Sequence, residues 1–116
     1  MYNYKCVVEN IEELRLPGVY RVHSKCGEYT IVIEMHEDVM KIVNGEEMKV
    51  VLTNDKSECM ENEFCGKGHV VSITKFDKKY RVIISIGGFL FVLKGLEKPI
   101  KFNVMDELYI GISRTS

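Results

Sequence analysis

Apolar residues in this chain recur at every second position in short runs, and turn-forming residues end each run before a helical pattern can establish itself. The cleanest instance is Tyr29 to Met35, where Tyr29, Ile31, Ile33 and Met35 fall on one face and Thr30, Val32 and Glu34 on the other. A period of two belongs to a half-buried strand, because successive side chains of an extended chain point to opposite sides. The residue types agree: the chain has 14 Val and 11 Ile against 7 Leu, and no Ala. Val and Ile are stiff at the first side-chain torsion and fit a pleated surface, while the best helix former is missing. The sequence therefore predicts an all-β chain.

Tyr4–Glu9, Val19–Lys25, Tyr29–Met35, Val39–Val43, Glu47–Thr53, Val70–Thr74, Tyr80–Ile86, Phe89–Leu93 and Leu108–Ser113 read as strands. Asn10 to Leu16 reads as a connection stopped by Pro17-Gly18, and Cys26-Gly27-Glu28 as a turn. Asn44-Gly45, Asp77-Lys78-Lys79 and Gly87-Gly88 read as reversals, the first being the strongest short-range hairpin signal present. Asn54 to Glu63 carries four acids and almost nothing apolar, so it reads as a solvated loop. About eight to nine short strands with no helix between them fit a small antiparallel barrel, which also leaves no strand edge exposed. With 116 residues, the expectation is a single β-barrel domain spanning 1–116.

Sixteen Lys and Arg face 17 Asp and Glu, for a net charge of −1. That balance argues against a protein whose own task is to grip nucleic acid or an anionic membrane, since such affinity comes mainly from neutralising phosphates. No apolar run is long enough to span a bilayer, and Glu9, Glu12 and Glu13 stand where a secretory leader would be basic and apolar, so the expected compartment is the cytoplasm. Cys6, Cys26, Cys59 and Cys65 are irregularly spaced and include no CxxC. They are expected to be buried small hydrophobes and exposed thiols rather than a zinc site, with intracellular disulfides the lesser alternative.

Little in the sequence suggests catalysis. His23, His36 and His69 are scattered, without HExxH, GxSxG or a neighbouring nucleophile, and each reads as a surface residue. Gly66-Lys67-Gly68 precedes a strand rather than a helix, the wrong geometry for a phosphate loop, and reads as a turn. No catalytic residue, metal ligand or cofactor is assigned, and no enzymatic activity is expected of the chain alone. One basic segment interleaved with aromatics, containing Phe76, Lys78, Lys79, Tyr80 and Arg81, has the residue types of a single-strand nucleic-acid groove, although a charged hairpin tip explains it more simply. Gly87 and Gly88 interrupt an apolar run from Ile83 to Leu93 in which only Ser85 is polar. A glycine pair there marks a bulge or corner, or a kinked apolar ribbon, Gly87 to Phe91, that a partner chain covers.

The same stretch carries a resemblance. Ser85-Ile86-Gly87-Gly88-Phe89-Leu90-Phe91-Val92-Leu93-Lys94-Gly95 is similar to the S-Y-G-G-L-L-M-R-L-x-G signature of subunit 8 of the eukaryotic nuclear RNA polymerases and its archaeal counterpart. Gly45–Val51, Gly68–Ile73 and Val104–Ile112 resemble further segments of that family in the same order. The family's aromatic before the glycines is Ile86 here, its Arg is Val92, and the long acidic insertion of the eukaryotic proteins shrinks to Asn54–Glu63, which points to the archaeal branch.

The resemblance implies an oligonucleotide/oligosaccharide-binding (OB) type barrel that does no chemistry. It implies a subunit of a multisubunit DNA-dependent RNA polymerase docked on the periphery of the largest subunit, with neighbouring subunits as further partners and DNA or RNA met only through the holoenzyme. Gly87, Gly88, Phe89, Leu90 and Phe91 are the expected partner-binding residues. The rival is a stand-alone single-strand-binding OB protein using Phe76, Lys78, Lys79, Tyr80 and Arg81.

Overall fold

A computed structural model describes residues 1–115 and contains eight strands. These are β1 (Tyr2–Glu13), β2 (Val19–Cys26), β3 (Tyr29–His36), β4 (Glu47–Thr53), β5 (Phe64–Phe76), β6 (Lys79–Ile86), β7 (Phe89–Leu96) and β8 (Glu107–Arg114), with one short helical turn, α1 (Lys56–Cys59), between β4 and β5. They close in the order β1-β2-β3-β7-β6-β5-β8-β4, and β4 pairs back onto β1. Every neighbouring pair is antiparallel. The all-β barrel expected from the period-two pattern is what forms, at the lower end of the expected strand count.

Inward residues make one continuous core, in which Val22, Ile31, Ile33, Val50, Leu52, Val70, Val82, Ile84, Phe91, Leu93, Leu108, Ile110 and Ile112 are wholly buried. Each such side chain is worth roughly 1.5–3 kcal/mol relative to leaving it in water, so this interior supplies the main drive for folding. Three single-residue bulges bend the wall around it. The extra residues are Glu9 on β1, Val71 on β5 and Gly95 on β7. Each moves the inward set on by one place, so that Val8 is followed inside by Ile11, Val70 by Ile73 and Leu93 by Leu96. Gly95 sits at φ +91 with a would-be Cβ 3.0 Å from the Glu28 carbonyl oxygen, a position that favours glycine.

Two irregular straps cork the barrel. One leaves the end of β3 and the other the end of β7, which lie at opposite ends of that antiparallel pair. The first strap contributes Met40 and Ile42 to the core. The Tyr20 hydroxyl holds it, donating to the Met40 carbonyl and accepting from the Ile42 N–H at 2.9 Å. The second contributes Ile100, and its Lys101 N–H donates to the Tyr2 hydroxyl at 2.8 Å while Phe102 meets the Tyr2 ring. Val39–Val43, expected as a strand, is this first strap; Asn44-Gly45 makes the expected reversal, the Glu46 N–H donating to the Val43 carbonyl at 3.3 Å, but with no strand before it that reversal joins no hairpin. Gly45 has the expected positive φ, +85, but its N–H donates to the Val8 carbonyl, and the Val43 N–H donates to the Glu46 carboxylate.

Outside the barrel, α1 packs on β4, β8 and β5. Beneath it runs the outward row Val51, Gly111 and Cys65, in register across those strands. Asn62 lies against Gly111, its Nδ2 donates to the Cys59 carbonyl at 3.0 Å and its Oδ1 accepts from Ser113 at 2.9 Å. All four cysteines are paired, Cys59 with Cys65 under this loop and Cys6 with Cys26 across β1 and β2. The expectation of free thiols is thereby corrected: pairing of β1 with β2 sets Cys6 against Cys26, and the loop carrying α1 returns Cys59 to Cys65.

Gly66-Lys67-Gly68, expected as a turn, runs within β5 paired to β8, and a Cβ at Gly68 would collide with the Ser85 carbonyl oxygen, a backbone atom that cannot move aside. Gly68→Ala is expected to destabilise the barrel by about 1–3 kcal/mol in urea unfolding. Burial, helped by the neighbouring Tyr2 and Tyr29 hydroxyls, pushes the Tyr4 phenol from 10.0 up to about 12. Its contribution is intact below the unfolded value and is lost as pH climbs through the folded one, so unfolding free energy should fall between those two values. Tyr4→Phe should flatten that alkaline decline.

Candidate functional site

The segment Gly87 to Phe91 is the turn and first residues of the β6–β7 hairpin. Ile86 faces Phe89 across it, and Gly87 and Gly88 sit at φ +54 and +94, the left-handed pair that a tight two-residue reversal requires. A Cβ on either glycine would meet nothing within 4 Å, so the demand is on backbone conformation, not space. Alternation then decides what each residue presents. Phe91 points inward and is wholly buried, Phe89 is half-buried, and Leu90 points outward with 40% of its surface exposed.

Below the turn the wall is loosely closed. Pairing between β3 and β7 stops at Ile33 opposite Phe91, and the Leu90 N–H donates instead to Glu34 Oε1 at 2.9 Å. A cleft of about 270 Å³ opens there, between Ile33, Met35, Val39, Phe64, Ile86 and Phe89. Glu34 is held in turn by Arg21 at 3.2 Å, and Arg21 by Glu12 at 3.1 Å. Glu12 also meets His23 Nε2 at 3.1 Å. Hydrogen bonds from His23 and then Arg21 hold the Glu12 carboxyl below the usual carboxylate range. The turn is thus anchored by a polar chain running back across β2 to β1. In the sequence Glu34 is only a polar outward residue; the signal it carries is a carboxylate among otherwise uncharged strand positions.

The second expected cluster lies at the β5–β6 turn, where Asp77 and Lys78 have φ of +51 and +66. Phe76, Lys79, Tyr80 and Arg81 line a groove of about 520 Å³ together with Thr74, Lys75, Lys94 and Gly95, and Lys78 is not among its lining residues. Lys75 Nζ lies 5.5 Å over the Tyr80 ring, Lys79 pairs with Glu97 at 3.4 Å, and Phe76 is 83% exposed. Lys75 and Lys94 complete this basic groove beyond the expected residues. Lys94 in particular is brought in by strand pairing, from a stretch of sequence that gives no sign of it.

The histidines fall on three different strands, His23 beside Glu12, His36 beside Asp38, and His69 on β5. Among the described residues no three His, Cys, Asp or Glu side chains gather as a metal cage, and no helix is long and apolar enough to cross a membrane. The ensemble presents surfaces: an apolar hairpin tip with a cleft beneath it, and a basic groove at the other end of the same hairpin.

A family model for RpbG, a component of DNA-directed RNA polymerase, matches residues 1–115. The DNA-directed RNA polymerase subunit Rpo8 of Saccharolobus solfataricus is 22% identical over 120 residues, covering 96% of this chain and 91% of that protein. The Rpo8 of Saccharolobus shibatae is 23% identical, covering 96% and 92%. Among solved structures, the cytoplasmic molybdate-binding protein ModG aligns over 97% of this chain and 89% of that one at 14% identity, with a TM-score of 0.41.

The Glu34 bond to the Leu90 amide can be tested directly. A hydrogen bond to a charged group is worth about 1.5–3 kcal/mol, so Glu34→Ala should speed hydrogen exchange of the Leu90 amide about ten- to a hundredfold. The amides of Val82 and Ile84 in the core should keep their protection.

Proposed function

The chain belongs to the RpbG family of DNA-directed RNA polymerase subunits, the archaeal counterpart of eukaryotic subunit 8, and we propose that it serves the polymerase as a non-catalytic accessory subunit. In this reading it docks on the periphery of the largest subunit through the β6–β7 turn and supports assembly of the enzyme. Nucleotidyl transfer and its metal ions belong to the large subunits, and this chain contributes buried surface and rigidity in the cytoplasm.

The observation that carries the reading is Leu90, an aliphatic side chain held out from a rigid turn beside an apolar cleft. Gly87 and Gly88 shape the turn, Phe89 borders the cleft, and Phe91 fixes the strand from within. An anchored apolar knob next to a pocket is the form that binding energy takes at protein interfaces, where a few central residues dominate.

Leu90→Arg provides the test. The substitution is on the outside of the wall, so the variant should fold with an unchanged melting temperature. Its occupancy in polymerase reconstituted with limiting subunit should fall about tenfold or more. Full occupancy by the folded variant would remove the turn from the interface.

A further inference from the structure

Neighbouring strands satisfy each other's backbone only as far as both extend, and the β6–β7 hairpin stops short. β5 pairs with β6 from Phe76 back to His69, opposite Ser85, while its remaining residues, Phe64 to Gly68, have β8 alone beside them. β3 likewise runs on past Ile33, the last residue in register with β7, to His36 with β2 alone beside it. Since β7 and β6 are the two strands that separate β3 from β5, the wall beyond their turn lacks both. The notch is lined by the cleft of about 270 Å³ among Ile33, Met35, Val39, Phe64, Ile86 and Phe89.

Backbone groups of an antiparallel strand point alternately to one neighbour and the other. The Val70 N–H donates to the Asp106 carbonyl, just before β8, at 2.9 Å, which assigns Gly68, Gly66 and Phe64 to the β8 side as well. Cys65 and Lys67 therefore turn their N–H and C=O groups into the notch, where β6 has ended and no strand is in register with them. Two other strand ends stand without a neighbour, and both carry charge that keeps strangers off. β1 beyond Val8 carries Glu9, Glu12 and Glu13, and β5 beyond Val70 carries Lys75 before the Asp77-Lys78 turn. The edge from Phe64 to Gly68 has one charge, Lys67, and Glu107 pairs with it at 2.9 Å.

We propose that the notch receives an extended segment of a neighbouring polymerase subunit, which pairs with β5 at Cys65 and Lys67 as the strand β6 no longer supplies and turns aliphatic side chains into the cleft. The inference rests on the docking reading above and names what fills the cleft beside Leu90. The free edge dictates the form of the occupant, because extended chain presents N–H and C=O groups at the spacing of alternate β5 residues. The apolar lining dictates which side chains that chain brings.

The test compares amide hydrogen exchange, resolved to single residues, in the free subunit and in reconstituted polymerase. Assembly should slow the Cys65 and Lys67 amides about tenfold or more, while the Gly66 and Gly68 amides, already bonded to β8, are slow in both states. Lys67→Pro removes a donor that the β5–β8 ladder does not use, so the barrel should fold by circular dichroism, and its occupancy with limiting subunit should fall about tenfold or more. Glu107→Ala breaks the same ion pair but leaves the amide, and should keep full occupancy. Cys65 and Lys67 amides that exchange as fast assembled as free would overturn the proposal, as would full occupancy by folded Lys67→Pro or an equal loss by Glu107→Ala. Loss of Leu90→Arg beside any of these results would leave the docking turn standing without the added strand, whereas protection of the two amides with full occupancy by Leu90→Arg would keep the strand and remove the turn. Protection that appears in the subunit alone and rises with its concentration would make the occupant a second copy and overturn the assignment to a polymerase partner. Should Lys67→Pro fail to fold, the exchange comparison decides by itself.

Discussion

The closed ladder of backbone hydrogen bonds is the constraint on which everything else in this structure depends. Strands that are extended and half apolar must bury one face and satisfy both edges, and eight of them in a ring do both at once. Closure needs curvature, and curvature comes from Glu9, Val71 and Gly95, each an extra residue that bends its strand and hands the inward role to the next position. Without those shifts, Ile11, Ile73 and Leu96 would face water and the residues beside them would face the core.

A filled barrel has its chemistry on the outside. The interior is packed with aliphatic side chains and both ends are corked, one by the strap tied to Tyr20 and the other by the strap tied to Tyr2. What distinguishes the sectors of the wall is therefore what covers them. A loop with a disulfide covers one, and charged pairs cover another. The Arg114 guanidinium ties that loop to the first strap, pairing with Glu63 and donating to the Lys41 carbonyl at 3.0 Å. It also draws the Glu63 carboxyl below its ordinary range through that hydrogen bond.

Local pattern carried the fold class and most strands because alternation and turn chemistry act over a few residues. Gly87-Gly88 was legible as a reversal for that reason, and Tyr29–Met35 as a half-buried strand. Most of the misses are non-local, the Cys59–Cys65 pair, six residues apart, being an exception. Val39–Val43 has the composition of a strand but answers to the distant Tyr20 hydroxyl, which bonds Met40 and Ile42. Glu9 resembles the end of a strand because a bulge breaks the alternation without breaking the pairing. Cys6 and Cys26 meet only because β1 and β2 are in register. For the site, the turn and its glycines could be read directly, but which of Phe89, Leu90 and Phe91 faces out depends on where the barrel's inside is. Lys94 joins the basic groove only through pairing of β6 with β7.

The position of β8 has a consequence for how the molecule is made. It is the last of the eight strands in sequence and sits between β4 and β5, so it completes two ladders at once. Until it leaves the ribosome, the emerging polypeptide holds two unzipped borders and an unsealed interior, and the partner that β4 and β5 share is still being translated. This barrel shuts only after every strand has been made, as a single late event, and its earlier portions wait in the meantime as sticky, half-finished sheet.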